Sequence, residues 1–247
     1  MSNTRTAVLS PAAELMEKFE NRTARVGVVG LGYVGLPFAV EKAKVGFQVL
    51  GFDRSAARVA QVNAGENYIG DVHDADLREQ VLEAERLEAT ADFGRLPFMD
   101  VVVICVPTPL SRNLTPDLQY IEAVTGELAR RIRPGQLICL ESTTYPGTTV
   151  EVMQPLLEAS GLKEGRDFYL AFSPERVDPG NQRYTTRNTN KVVGADSPDS
   201  REVALAFYRQ TILEVVGVSS SQTAEMVKDT AKRLHADHRR RQQAAGT

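Results

Sequence analysis

Residues 25–53 read RVGVVGLGYVGLPFAVEKAKVGFQVLGFD, and this stretch decides the fold. A Val-rich run (RVGVVG, 25–30) breaks on glycine, an amphipathic segment spans 33–45, and a second apolar run (FQVLGFD, 47–53) ends on an acid. Strand, helix and strand in so short a span make the βαβ unit of a parallel sheet. At the first junction Gly30, Gly32 and Gly35 fall in GxGxxG spacing. The first glycine permits a tight turn, the second lets the backbone approach a pyrophosphate, and the third lets the helix pack close to the strand. The helix N-terminus adds amide donors and the positive end of its dipole. Asp53 lies 23 residues after Gly30, where a carboxylate accepts hydrogen bonds from the adenosine ribose and repels a 2′-phosphate. NAD is therefore expected over NADP, although the adjacent Arg54 could accommodate that phosphate. A glycine-rich turn that binds nothing is the plain alternative; a strand before it, a helix after it and the terminal acid together argue against it.

Outward from this unit the pattern repeats. Further strands are expected at 100–106, 136–142, 168–173, 191–195 and 214–218, and helices at 54–64, 74–84, 117–132, 148–160 and 198–211. The fold class that follows is α/β, a doubly wound parallel sheet of the Rossmann type. Ser10-Pro11 offers an N-cap and a proline at the first helical position ahead of a short leading helix. The expected organisation is an extension with that helix over 1–23, a dinucleotide-binding domain over 24–219, and the start of a connecting helix with a polar tail over 220–247. After Leu234 no large apolar residue remains to pack.

Composition narrows the function classes. Lys plus Arg number 29 against 32 for Asp plus Glu, a net charge of −3, so no global field attracts nucleic acid or an anionic membrane. Arg239, Arg240 and Arg241 make only a weak anionic-ligand signal, and His235 and His238, three apart, read as part of a solvated polar tail, so no metal is expected. No apolar run approaches the length of a membrane span. Cys105 and Cys139 sit inside apolar runs and read as buried small hydrophobes in a reducing cytoplasm.

The glycine turn extends to GLGYVGLP (30–37), and four segments follow in order: VICVPTPL (103–110), LESTTYPGTT (140–149), SPERVDPGN (173–181) and TAEMVK (223–228). Together, over about residues 24–228, they resemble the UDP-glucose/GDP-mannose dehydrogenase family, with TTYPGTT and SPERVDPGN closest in flavour to its UDP-N-acetylglucosamine 6-dehydrogenase branch. The resemblance implies an oxidoreductase of polysaccharide biosynthesis in which two NAD+ take the C6 alcohol of a UDP-sugar, through an aldehyde and an enzyme thioester, to a carboxylate. It implies that Tyr33 and Val34 lie over the pyrophosphate, that Pro107 and Thr108 border the ribose and nicotinamide, and that Ser142 and Thr144 lie beside the nicotinamide. It further implies that Thr143 helps hold the catalytic water, Glu175 activates it against the thioester, and Lys228 stabilises oxyanion charge. Taken alone, Thr143 reads equally as a helix cap, Glu175 as a loop acid, Lys228 as a surface charge, and Asp178, Pro179 and Gly180 as a turn.

The sequence departs from that pattern in two places. Lys232 stands where the family carries an asparagine one helical turn after its lysine, and it has no acceptor to offer. The family's nucleophilic cysteine, in a Gly-Gly-His-Cys-Ile-Pro type segment, has no counterpart, and neither Cys105 nor Cys139 stands in for it. The expectation is an N-terminal NAD-binding half, truncated or altered after Leu234 and not competent for full turnover alone. A fragment completed by a separate C-terminal half and a catalytically silent NAD-binding module are the alternatives. Family members pair as homodimers through the connecting helix, so that pairing is not expected here.

Overall fold

The structure is a computed structural model and describes residues 10–109, 116–175, 187 and 189–227. It opens with α1 (Pro11–Glu20), capped by Ser10, whose hydroxyl accepts from the Ala13 amide at 3.2 Å, with Pro11 at the start as expected. There follow β1 (Arg25–Val29), α2 (Gly35–Lys44), β2 (Gln48–Phe52), α3 (Ala56–Asn63), α4 (Asp74–Arg78) with a wide turn over Glu79–Glu83, and β3 (Leu87–Thr90). A 3-10 turn (Phe93–Phe98) leads into β4 (Val101–Ile104), then α5 (Gln119–Ala129), β5 (Leu137–Leu140), a wide helical turn (Thr148–Met153) running into α6 (Gln154–Glu158), and β6 (Tyr169–Phe172). The chain ends its regular structure with β7 (Lys191–Gly194), α7 (Pro198–Arg209), β8 (Val215–Val218) and helical residues 221–227.

These strands form one sheet in the order β3-β2-β1-β4-β5-β6-β7-β8. The chain winds outward from β1 to β3, then returns to lay β4 on the other side of β1. The strand order therefore reverses between β1 and β4, where an open α/β sheet leaves a crevice at its carboxyl edge. Strand side chains alternate between the two faces. Val101, Val103, Leu137, Cys139, Tyr169 and Ala171 join one core with α1, α2 and α7. Val102, Ile104, Ile138, Leu140, Leu170 and Phe172 join the other with α5 and α6. Burial on both faces is why these strands read as unbroken apolar runs.

Two features depart from the expected parallel sheet. β7 runs antiparallel to β6, through the single register pair Phe172↔Gly194, while every other pairing is parallel. A parallel return needs a long crossover, usually a helix, whereas an antiparallel one does not. The edge strand β3 is additional. Its LEAT sequence is too short and too polar for a periodic signal, and it is held from outside by Asn63, whose amide donates to Ala89 O at 2.9 Å while its carbonyl accepts from Ala89 N at 2.7 Å.

At the edge of the sheet away from the crevice, Asp100 ties three elements together. Its carboxylate accepts from Lys18 Nζ at 2.8 Å, the Arg25 amide at 2.9 Å and Arg133 Nη2 at 2.8 Å. Burial alone would push this carboxyl up, but the hydrogen bonds from Lys18, Arg25 and Arg133 outweigh it and hold it below the usual carboxylate range. α1 also joins the core: Phe19 is fully buried, with its ring 5.4 Å from that of Phe207 on α7.

Replacing Phe19 by Ala is expected to cost about 3–5 kcal/mol of unfolding free energy in urea, because it removes a buried ring that joins α1 to α7. A loss within experimental error would show α1 to be a loose appendage. Asp100→Ala should cost about 2 kcal/mol at pH 7. Because the folded-state pKa is depressed, the contribution of Asp100 is fully present above its unfolded value near 3.8 and disappears as pH falls through the lower folded value. Wild type and variant should therefore converge in stability at the acid end of a pH series.

Candidate dinucleotide site

The crevice at the carboxyl ends of β1, β2, β4 and β5 is a cleft of about 410 Å³. The three motif glycines differ in the space around their backbone. Gly30 takes φ +92°, and a Cβ there would lie 2.6 Å from the carbonyl oxygen of Cys105. A Cβ at Gly35 would fall 1.8 Å from Gly30 O, so only glycine lets α2 start against the end of β1. At Gly32 the same position meets nothing within 4 Å, which leaves backbone open to a ligand. The first turn of α2 has no side-chain cap and carries no acid, so its amide donors and dipole are not matched by the protein's own carboxylates.

Asp53 follows β2 and is nearly buried in the cleft wall. One carboxylate oxygen accepts from the Leu31 amide at 3.0 Å and the other from the Ser55 amide at 2.9 Å. These bonds fix the acid beside the glycine turn. Arg58, on the first turn of α3, lies 3.4 Å from the same carboxylate and lines the cleft together with Arg54. Tyr68 closes this corner by donating to Leu31 O at 2.7 Å, and burial, then the Asp53 charge, pushes its hydroxyl up to about 12. The apolar wall is built from Val29, Phe52, Phe93, Val106 and Val124, a lining that suits a planar base.

Of the other residues singled out in the sequence, Tyr33, Val34, Pro107, Thr108, Ser142 and Thr143 all line the cleft. Tyr33 is 65% exposed at its mouth. Ser142 donates to Val106 O at 2.7 Å and so couples the ends of β4 and β5. Thr144 is buried behind the wall, with its hydroxyl bonded to that of Thr148. Glu175 is also set back from the lining, where its carboxylate meets Lys191 at 3.4 Å. Lys228, Lys232, Asp178, Pro179, Gly180, His235, His238 and Arg239 to Arg241 lie outside the described residues.

Several residues at the site were not legible in the sequence. Glu141 is fully buried, lines the cleft, and is paired with Lys191 at 2.8 Å. Glu225 accepts from the Gly147 amide at 2.5 Å, the Thr149 amide at 2.9 Å and the Thr149 hydroxyl at 2.7 Å, pinning helical residues 221–227 to the loop that carries Thr143. For Arg58 a signal existed: it stands one helical turn after the Ser55 cap and five residues after Asp53. Cys105 and Cys139 are buried free thiols. Burial pushes Cys139 up to about 12 and Cys105 well above the usual thiol range, so neither supplies a thiolate nucleophile near neutral pH. Among the described residues no group of His, Cys, Asp and Glu could hold a metal ion, and no helix is long and apolar enough to cross a membrane.

Comparison with known proteins agrees with this geometry. The chain is 35% identical over 204 residues to the UDP-N-acetyl-D-mannosamine dehydrogenase of Pyrococcus horikoshii, covering 83% of this chain and 49% of that protein. It is 34% identical over 216 residues to the UDP-N-acetyl-D-glucosamine 6-dehydrogenase of Pseudomonas aeruginosa, covering 85% and 50%. The GDP-mannose dehydrogenase of Pseudomonas aeruginosa, solved as a ternary complex, superposes with a TM-score of 0.80 at 31% identity, covering 87% of this chain and 50% of that one. The chain thus spans about half the length of the curated relatives it matches. Residues 24–212 match the NAD binding domain of the UDP-glucose/GDP-mannose dehydrogenase family, and the chain belongs to that family.

Proposed function

We propose that this chain is the NAD-binding half of a nucleotide-sugar 6-dehydrogenase that oxidises the C6 alcohol of a UDP-N-acetylhexosamine to the uronic acid. The observation that carries the reading is a single cleft with Gly32 and Asp53 at one end and Ser142 and Thr143 at the other, all on neighbouring strand ends. The names of the relatives, UDP-N-acetyl-D-mannosamine dehydrogenase and UDP-N-acetyl-D-glucosamine 6-dehydrogenase, support the substrate class. Residues 24–219 form the NAD-binding unit on this reading, and residues from 220 begin the connection to the other half. Buried free thiols fit a reducing cytoplasm, where the product would enter polysaccharide synthesis.

Within the cleft, the Gly30–Gly35 turn and the start of α2 hold the pyrophosphate, and Asp53 accepts from the adenosine ribose. When bound, NAD+ supplies the hydride acceptor at the Ser142–Thr143 end. Thr143 orients a water, and Glu175 takes a proton from it as general base. Lys228 stabilises negative charge on the reacting oxygen. Cys105 and Cys139 hold no aldehyde, so this stretch of chain binds NAD by itself and turns over only with the remaining half of the enzyme.

Calorimetry of the chain with NAD+ should show binding, and Asp53→Ala should weaken it by about 10- to 100-fold, as expected for lost hydrogen bonds to a charged group. Unchanged affinity in a variant that keeps its fold would remove the basis for the site. With NAD+ and UDP-N-acetylglucosamine or UDP-N-acetylmannosamine, NADH absorbance should rise steadily only after a family C-terminal half is added. Glu175→Gln should then lower that rate by about 100-fold or more. Steady turnover by the chain alone would overturn the division of labour proposed here. Tight NAD binding with no turnover in either mixture would identify a silent binding module instead.

A further inference from the structure

Behind the nicotinamide end of the cleft lies a buried charge cluster that the glycine turn and the Thr143 loop do not explain. Lys191 opens β7 with its side chain 4% exposed. Its ammonium donates to Glu141 Oε2 at 2.8 Å and to Glu175 Oε2 at 3.4 Å, while the Tyr208 hydroxyl donates to Glu141 Oε1 at 2.7 Å. One cation therefore joins two carboxylates, one in the cleft wall and the other the proposed general base. The reversed direction of β7 brings this about. With Phe172 opposite Gly194 in antiparallel register, the residue three before Gly194 lies level with the residue three after Phe172, and these are Lys191 and Glu175.

Stability alone is a poor reason for such a cluster, because buried ion pairs are commonly matched or exceeded by apolar packing of the same volume. Two carboxylates sharing a dry site would otherwise drive one of them to take up a proton. The groups facing Lys191 come from every element around it: Cys139 on β5 and Glu141 just after it, Cys105 after β4, Glu175 after β6, Tyr208 from α7 and Lys42 from α2. Burial alone would lower Lys191, but Glu141 and Glu175 hold it above its usual value, so it stays an ammonium. Lys42 differs: burial takes it well below its usual value, and its amine donates to Phe207 O at 2.9 Å above the Phe207 ring. Among the described residues, Lys191 is thus a buried ammonium that supplies positive charge to Glu175.

We propose that Lys191 is a positioning residue, anchored by Glu141 and Tyr208, which holds Glu175 ionised and fixed beside the cleft. This rests on the reading of Glu175 as general base. The test is a pH titration of the carboxyl carbons of the whole chain by NMR, with the Glu175 signal assigned from Glu175→Gln. Lys191→Met should raise the proton affinity of Glu175 by about tenfold or more, whereas Lys191→Arg should keep the wild-type midpoint. Should Lys191→Met fail to fold with Glu141 left unpaired, Lys191→Met is made in a Glu141→Gln background and the rise is read against Glu141→Gln alone, because losing the Glu141 charge by itself lowers the proton affinity of Glu175. In the unsubstituted chain, a cross-peak between Lys191 Nζ and the Glu175 carboxyl carbon is expected beside the one to Glu141. A Glu175 midpoint unchanged between a folded variant lacking Lys191 and the parent that differs from it only at Lys191, or a Glu141 cross-peak without the Glu175 one, overturns the proposal. Neither measurement uses the sugar or the second half, so each judges Lys191 separately from the turnover result that judges Glu175.

Discussion

The end of β1, the start of α2 and the end of β4 press against one another with no side chain between them. A Cβ at Gly35 would fall 1.8 Å from Gly30 O, and one at Gly30 would fall 2.6 Å from Cys105 O. This contact sets how close α2 lies to the sheet, and hence where its N-terminal amides and dipole meet a ligand. It also sets the depth of the cleft, because Cys105, Val106 and Pro107 leave β4 at the same point. Asp53 reaches back to the Leu31 amide, so the acid that follows β2 is built onto the turn rather than placed beside it.

The two edges of the sheet divide the work. At the amino edge, Asp100 gathers Lys18, Arg133 and the Arg25 amide into a cluster on the side of the sheet away from the dinucleotide cleft. Its job is to join α1, β1 and the start of β5 around β4. At the carboxyl edge, the buried charges Glu141 and Lys191 stand directly behind a ligand-sized opening. Buried charge that faces a cleft serves chemistry more readily than stability, since its desolvation is not recovered by attraction alone. The antiparallel entry of β7 is the topological device that delivers Lys191 to that edge.

The chain spans about half the length of the relatives it matches and covers the family's NAD binding domain. Its two thiols are buried in the apolar layers on the sheet, where protonation is favoured. The strand ends that present Thr143 and Glu175 are nonetheless well braced, by Ser142 to Val106 O, by Glu225 to the Gly147–Thr149 turn, and by Lys191 to Glu175.

Local sequence alone determined the elements and the cofactor turn. Apolar runs of strand length, helical spacing between them, glycines at the positions where a Cβ would clash, and an acid at the end of β2 are all written in neighbouring residues. Tertiary structure decided what depends on residues far apart in the chain. β3 exists because β2 and the Asn63 side chain pair with it, and the direction of β7 is set by its pairing with β6 and β8. Glu141, Glu175, Lys191 and Tyr208 look like four unrelated polar residues until the fold packs them around one ammonium. Periodicity and turn chemistry act over a few residues and leave a pattern there. A buried charge cluster is a long-range electrostatic fact, and it leaves none.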